Sequence, residues 1–157
     1  MELAIETALH ACSAALIEGG HIVAERHEII ARGHAERLIP LIAELLAEAG
    51  ISRAEAVTVD VGPGSFTGIR VGLAAAKAFG LAWQAPVGGC TSTELVAAGV
   101  FDARPDLDRV YVAFDASRGE VYAQRFDRVG GAGELAALAP DRAAAAARGW
   151  AVAGSGA

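Results

Sequence analysis

Residues 2–8 (ELAIETA) and 12–18 (CSAALIE) carry the short apolar runs of two strands, and Gly19-Gly20 signals a hairpin turn into a third, 21–29 (HIVAERHEI). The pattern then changes period. Leu38, Leu41, Ile42, Leu45 and Leu46 recur three and four positions apart, which predicts a helix over 34–49 with one apolar stripe. Glu44 and Glu48 lie off that stripe, Pro40 falls within the first two turns, and Gly50 is placed to end the helix. Residues 56–61 (AVTVDV) form a nearly continuous apolar run rich in β-branched residues, which suits a strand covered on both faces. Gly62-Pro63-Gly64-Ser65-Phe66-Thr67-Gly68 leads into a second helix over 67–84, and a short strand at 86–89 completes a βαβ unit. Thr91 or Ser92 can cap a short helix at 93–98.

The polar stretch 100–108, with Pro105, marks a boundary, so the chain divides into domains at 1–104 and 105–157. Beyond it, 109–115 (RVYVAFD) and 119–127 (GEVYAQRFD) read as an antiparallel pair around Ala116-Ser117-Arg118. A glycine-rich loop at 129–133, an alanine-rich helix at 140–148 and a strand at 150–153 follow. A strand and glycine turn usually lead into another element, so a second half closing on Gly154-Ser155-Gly156-Ala157 reads as incomplete or truncated.

The second helix has its own signature. Gly68, Gly72, Ala76 and Gly80 fall four apart and line up as a groove of small residues, while Ile69, Leu73, Ala78 and Phe79 occupy the other side. Such a helix is apolar almost all round and expects cover on two sides. Its own sheet supplies one cover. The first helix or another chain supplies the other, and another chain is the expectation. The candidate interface is then Leu38, Leu41, Ile42 and Leu45 on the first helix, with Gly68, Gly72, Ala75, Ala76, Phe79 and Gly80 on the second.

Composition narrows the function classes. With 54% hydrophobic and 20% charged residues the chain is globular, and much of its apolar content is alanine, which favours close helix packing. A net charge of −6 without a Lys/Arg cluster disfavours direct binding to a phosphate backbone. Cys12 and Cys90 sit in apolar surroundings and read as buried reduced thiols. The N-terminus has no basic region of a signal peptide, and no apolar run is long enough to cross a bilayer, so the expectation is a cytoplasmic protein without a membrane partner.

Candidate chemistry centres on 60–83. A glycine turn between a buried strand and a helix presents backbone N–H groups at the positive end of the helix dipole, which suits an anion. The same residues fit a tight turn with Ser65 or Thr67 as helix cap, and both readings stay open. The spacing matches neither a Walker A loop nor the dinucleotide fingerprint. The histidines, His10, His21, His27 and His34, form no metal-binding pair, and Ser65 is not in a nucleophile elbow. Glu6, Asp60 and Asp115 lie at or near strand ends, and Arg70 and Arg118 are candidates for an ion pair or an anion contact. The candidate anion or nucleotide cleft is thus Glu6, Gly64, Ser65, Thr67, Arg70, Asp115 and Arg118, with no catalytic residue, metal or cofactor assigned.

LAIETA at 3–8, CSAAL at 12–16, HAERLIP at 34–40, GPGSFTGIRVGLAAAKAFGLA at 62–82 and DASRGEVY at 115–122 together resemble the TsaB, or YeaZ, family. The resemblance covers most of residues 1–127, and the stretch at 62–82 is its specific part. It implies an α/β, actin-like and Hsp70-like (ribonuclease H-like) fold of two related halves. It implies a non-catalytic scaffold that activates a TsaD-type enzyme, with a TsaE-type ATPase, in forming N6-threonylcarbamoyladenosine at position 37 of tRNA. Homodimers without that partner, contact with tRNA only through the complex, and pairing through the first two helices are implied as well. A nucleotide at a shared interface is the only cofactor left open. The catalytic homologue carries an HxxxH metal pair where Ser92 and Val96 stand here, and neither side chain can replace an imidazole. Glu6 stands where the family usually has aspartate, and Ser117 where arginine is common. The rival reading is a small nucleotide-binding ATPase or phosphotransferase of the actin-like superfamily, resting on the glycine turn, Asp60 and Asp115.

Overall fold

The computed structural model describes residues 1–30, 33–116 and 119–156, which fall into two compact units, Met1–Cys90 and Thr91–Ala157. In the first unit, β1 (Glu2–Glu6), β2 (Ala11–Glu18) and β3 (His21–Ile29) form the expected antiparallel meander. Helix α1 (His34–Glu48) then returns the chain to β4 (Ala56–Asp60), parallel to β1. Helix α2 (Phe66–Trp83) connects β4 to β5 (Val87–Cys90), again parallel. The sheet order is β3-β2-β1-β4-β5.

Alternation along the strands places Leu3 and Ile5 of β1, Cys12, Ala14 and Leu16 of β2, and Val57 and Val59 of β4 in one core. Into the same core α1 inserts Leu38, Leu41, Ile42 and Leu45, all fully buried, and α2 inserts Ala75 and Ala76. Burying each of the four large α1 side chains contributes about 2 kcal/mol. The expected intermolecular surface is therefore corrected. Its stripe on α1, and Gly68, Gly72, Ala75, Ala76 and Gly80 on α2, are buried within this chain, and Phe79 is half-buried against the same core.

The reason lies at the end of β1. The chain leaves that strand at Glu6, two residues sooner than the expected strand 2–8, and Thr7 and Ala8 pass directly beneath α2. A Cβ on Gly68 would overlap the Thr7 carbonyl oxygen, one on Gly64 the Ala8 carbonyl oxygen, and one on Gly72 would sit 2.6 Å from Thr7 Oγ1. The backbone that approaches the small-residue groove is the chain's own β1–β2 corner. Thr7 is fully buried, and its hydroxyl donates to Gly68 O at 2.8 Å, locking the contact.

In the second unit, α3 (Ser92–Ala103) precedes β6 (Arg109–Asp115) and β7 (Val121–Asp127), an antiparallel pair as expected. Two short strands unseen in the sequence, β8 (Gly131–Ala132) and β9 (Ala136–Leu138), pair with β7, and β8 lies inside the expected glycine loop. Helix α4 (Pro140–Ala146) leads to β10 (Ala151–Ala153), parallel to β6, giving the order β10-β6-β7-β8. Tyr111, Ala113, Val121, Ala123 and Ala143 form its core.

The unit division falls at Cys90/Thr91 rather than at 104/105. Thr91 caps α3 in a full capping box with Glu94, and the helix runs past 98 to Ala103. Thr93 Oγ1 donates to Gln124 Oε1 at 2.6 Å, and Arg128 Nη2 donates to Phe101 O at 3.0 Å, so α3 is tied to the strands that follow it. Residues 100–103 are the last turn of this docked helix, and 104–108 form a short turn into β6. No helix among the described residues is long and apolar enough to cross a membrane.

Candidate functional site

β1 and β4 run side by side in the same direction, so their last residues, Glu6 and Asp60, reach the same end of the first sheet. Asp60 is 1% exposed, and its Oδ1 accepts the Gly62 N–H at 2.7 Å, which turns the chain out of the strand. Glu6 Oε1 accepts the Leu9 N–H at 2.8 Å, and its Oε2 lies 3.5 Å from Ser13 Oγ. Ser13 Oγ in turn lies 2.9 Å from His27 Nδ1. Glu6, Ser13 and His27 thus form a polar row across β1, β2 and β3, each residue opposite the next in register.

Burial pushes the Glu6 carboxyl above its ordinary range, and the nearby Asp60 charge adds to this against the pull of the Leu9 N–H. The folded state therefore favours the protonated acid. That contribution is complete below the unfolded pKa and is lost as pH rises through the folded one. Glu6→Gln keeps an acceptor for Leu9 and cannot ionise. Its stability relative to the wild type is expected to improve as pH rises from the ordinary carboxylate range through the folded-state pKa, and then to level off. Urea unfolding midpoints at several pH values check this; a difference that does not change with pH contradicts it.

Of the two readings at Ser65, the structure shows the helix cap. Ser65 is the N-cap of α2, its hydroxyl accepting the Gly68 N–H at 3.2 Å, while its own N–H donates to Ala8 O at 2.6 Å. Together with Gly62, three of the loop's N–H groups are engaged within the chain, and Pro63 has none. These are half of the six N–H groups between Gly62 and Gly68. Thr67 is exposed in the first turn of α2. Arg70 is exposed too, and its guanidinium stacks 3.6 Å over the Phe66 ring rather than facing the acids. Asp115 ends β6 in the second unit with an exposed side chain, and Arg118, like Ser117, lies outside the described residues. Of the expected cleft, Glu6, Gly64 and Ser65 meet at one corner of the first unit. No group of three or more His, Cys, Asp and Glu among the described residues could hold a metal ion. A buried Asp60 and a partly buried Glu6 make this corner acidic, which disfavours a phosphate there.

Thr7, Ser13 and His27 are the residues of this corner that sequence reasoning did not select. A second feature also emerges only from the structure. The outward faces of α1 and α2 carry Ile39 at 50%, Phe66 at 67% and Leu81 at 83% exposure, with Pro40, Ala43, Ala47, Ala74 and Ala78 also exposed. Phe79 and Trp83 stack at 4.5 Å between centroids and pack against the core below them.

Residues 20–149 match the family model described as "TsaD: tRNA N6-adenosine threonylcarbamoyltransferase". The chain is 36% identical to the tRNA threonylcarbamoyladenosine biosynthesis protein TsaB of Escherichia coli over 128 residues, covering 80% of this chain and 54% of that protein. It is 35% identical to the Haemophilus influenzae protein of the same description, over 76% of this chain and 51% of that one. It spans about half the length of these curated relatives. Among solved structures, YeaZ from Pseudomonas aeruginosa superposes with a TM-score of 0.80 at 33% identity, covering 88% of this chain and 67% of that one. The fold is the α/β, actin-like class that the sequence led us to expect. The chain belongs to the TsaB/YeaZ family, within the group of proteins that the TsaD family model describes.

Proposed function

We propose that this chain serves in the formation of threonylcarbamoyladenosine in tRNA as a scaffold that pairs with and activates a TsaD-type enzyme, with a TsaE-type ATPase in the same system. The carrying observation is the likeness to the TsaB proteins over four-fifths of its length. The chemistry of the chain agrees with a supporting role. The positions of the catalytic homologue's metal pair hold Ser92 and Val96, and the acidic corner at Glu6 and Asp60 is internally hydrogen-bonded. The net charge of −6 favours meeting tRNA through a partner rather than directly.

The contact surface is the outward side of α1 and α2, not their buried stripes. Ile39, Phe66 and Leu81 are the large apolar side chains exposed there. An exposed apolar face framed by charged residues such as Glu36, Arg70 and Lys77 is a normal setting for a protein partner. Reconstitution tests the function. TsaD-type enzyme, tRNA and the threonylcarbamoyl-adenylate donor are incubated with and without this chain, and the modified nucleoside is measured by mass spectrometry. Modification is expected only when both proteins are present. Full modification without this chain would contradict the proposal, as would modification by this chain alone.

A further inference from the structure

Ser13 stands between two groups that compete for its single hydroxyl proton. Its Oγ lies 2.9 Å from His27 Nδ1 and 3.5 Å from Glu6 Oε2. Glu6 is opposite Ser13 and Ser13 is opposite His27, so all three side chains share one face of the sheet. The row is set by backbone register and not by long flexible side chains. Its ends differ in exposure. His27 is exposed on β3, an edge strand, while Glu6 is half-buried near Asp60, which is 1% exposed.

The neighbouring charges leave this row distinct. Glu6 Oε1 is held by the Leu9 N–H, and Oε2 is turned to Ser13. Arg26 and Glu28, on either side of His27, point to the other face and pair with Glu48 and Arg37 of α1. Cys12, next to Ser13, belongs to the core. Glu25 shares the His27 face of β3, one row further along and opposite Ala15. Asp60 of β4 and His27 act on Glu6 in opposite senses, the first favouring its protonated form and the second its carboxylate.

One hydroxyl proton allows two self-consistent states. In the first, a protonated Glu6 donates to Ser13 Oγ, and the Ser13 hydroxyl donates to His27 Nδ1. In the second, the Nδ1–H of a cationic His27 donates to Ser13 Oγ, and the Ser13 hydroxyl donates to a Glu6 carboxylate. They interconvert when the Glu6 proton moves to Ser13 as the Ser13 proton passes to Nδ1. No proton is gained or lost, and Ser13 keeps one throughout. Burial raises the Glu6 carboxyl toward the range of an ordinary imidazole, and a proton is shared most readily between ends of similar affinity.

We propose that Glu6, Ser13 and His27 form a proton relay across the end of the first sheet, through which the charge of the half-buried acid near Asp60 is set from the exposed sheet edge. A proton taken up by His27 turns the Ser13 hydroxyl toward Glu6 and holds the carboxylate. Ser13 is the positioning residue, and the relay is separate from the outward faces of α1 and α2.

The test is an NMR titration of the whole chain, labelled with 15N in histidine and 13C in the glutamate carboxyl. In the wild type, neutral His27 is expected to carry its proton on Nε2, with Nδ1 accepting from Ser13. Its Nδ1 signal should show a step at the pH where the Glu6 carboxyl signal steps. Ser13→Ala should remove that step and raise the Glu6 midpoint by about one pH unit, because the carboxylate loses a hydrogen bond. Ser13→Thr, which keeps a hydroxyl at this strand position, should restore both. Amide spectra check that each variant is folded. A neutral His27 with its proton on Nδ1, read from the wild type alone, would overturn the relay. So would a His27 step that persists in Ser13→Ala, which makes the coupling one of charge through space.

Discussion

Gly68→Ala is expected to lower the stability of this chain by about 3 kcal/mol. Alanine at a helix interior normally stabilises by about 1 kcal/mol relative to glycine, so the sign is the informative part. The added methyl would overlap the Thr7 carbonyl oxygen, a backbone atom that cannot rotate away, and would part the hydroxyl of Thr7 from Gly68 O. The comparison position is Gly99 in α3, where a Cβ meets no atom within 4 Å. Gly99→Ala should stabilise by about 0.5–1 kcal/mol. Thermal and urea unfolding of the two variants measure both effects. Equal behaviour of the two would show that α2 does not press on the β1–β2 corner.

Leu41→Glu and Ala76→Glu are expected to abolish folding. Both positions are fully buried in the core of the first unit. Truncating a buried leucine already costs about 2–5 kcal/mol, and a carboxylate adds the cost of burying an unpaired charge, together comparable to the whole stability of a small domain. Ile39→Glu and Leu81→Glu, one on each helix but facing outward, should remain within about 0.5 kcal/mol of the wild type. Circular dichroism melting and amide NMR dispersion separate the two classes. A folded Leu41→Glu protein would place that stripe on the surface after all.

Most of the architecture is legible in the residues because the periods are clean. The three- and four-residue spacing of Leu38, Leu41, Ile42 and Leu45 gives α1 to within a residue, and the run at 56–61 gives β4. What periodicity does not reveal is which polypeptide covers an apolar stripe. Gly68 and Gly72 announce a close approach, but their partner is Thr7, some sixty positions away, and only the parallel pairing of β1 with β4 brings it there. The polar row at the sheet end was hidden for a different reason. The two-residue turn Gly19-Gly20 sets Glu18 against His21, and that register continued would put Ser13 opposite Arg26. A register shift between Leu16 and Ile17 moves the pairing by one and sets Ser13 opposite His27 instead. β8 and β9 were missed because two or three residues carry no period, and the true extent of α3 because its exposed last turn looks like a linker.

Under the proposed function the two faces of α1 and α2 have separate roles: the inner one holds the first unit together, and the outer one would meet a TsaD-type partner. Size-exclusion chromatography with light scattering, on this chain mixed with its TsaD-type homologue, is the most direct test. The wild type should co-elute with the partner, and Ile39→Glu and Leu81→Glu should elute apart from it while remaining folded. Co-elution unaffected by both substitutions, or none for the wild type, would contradict the assignment of that outer face.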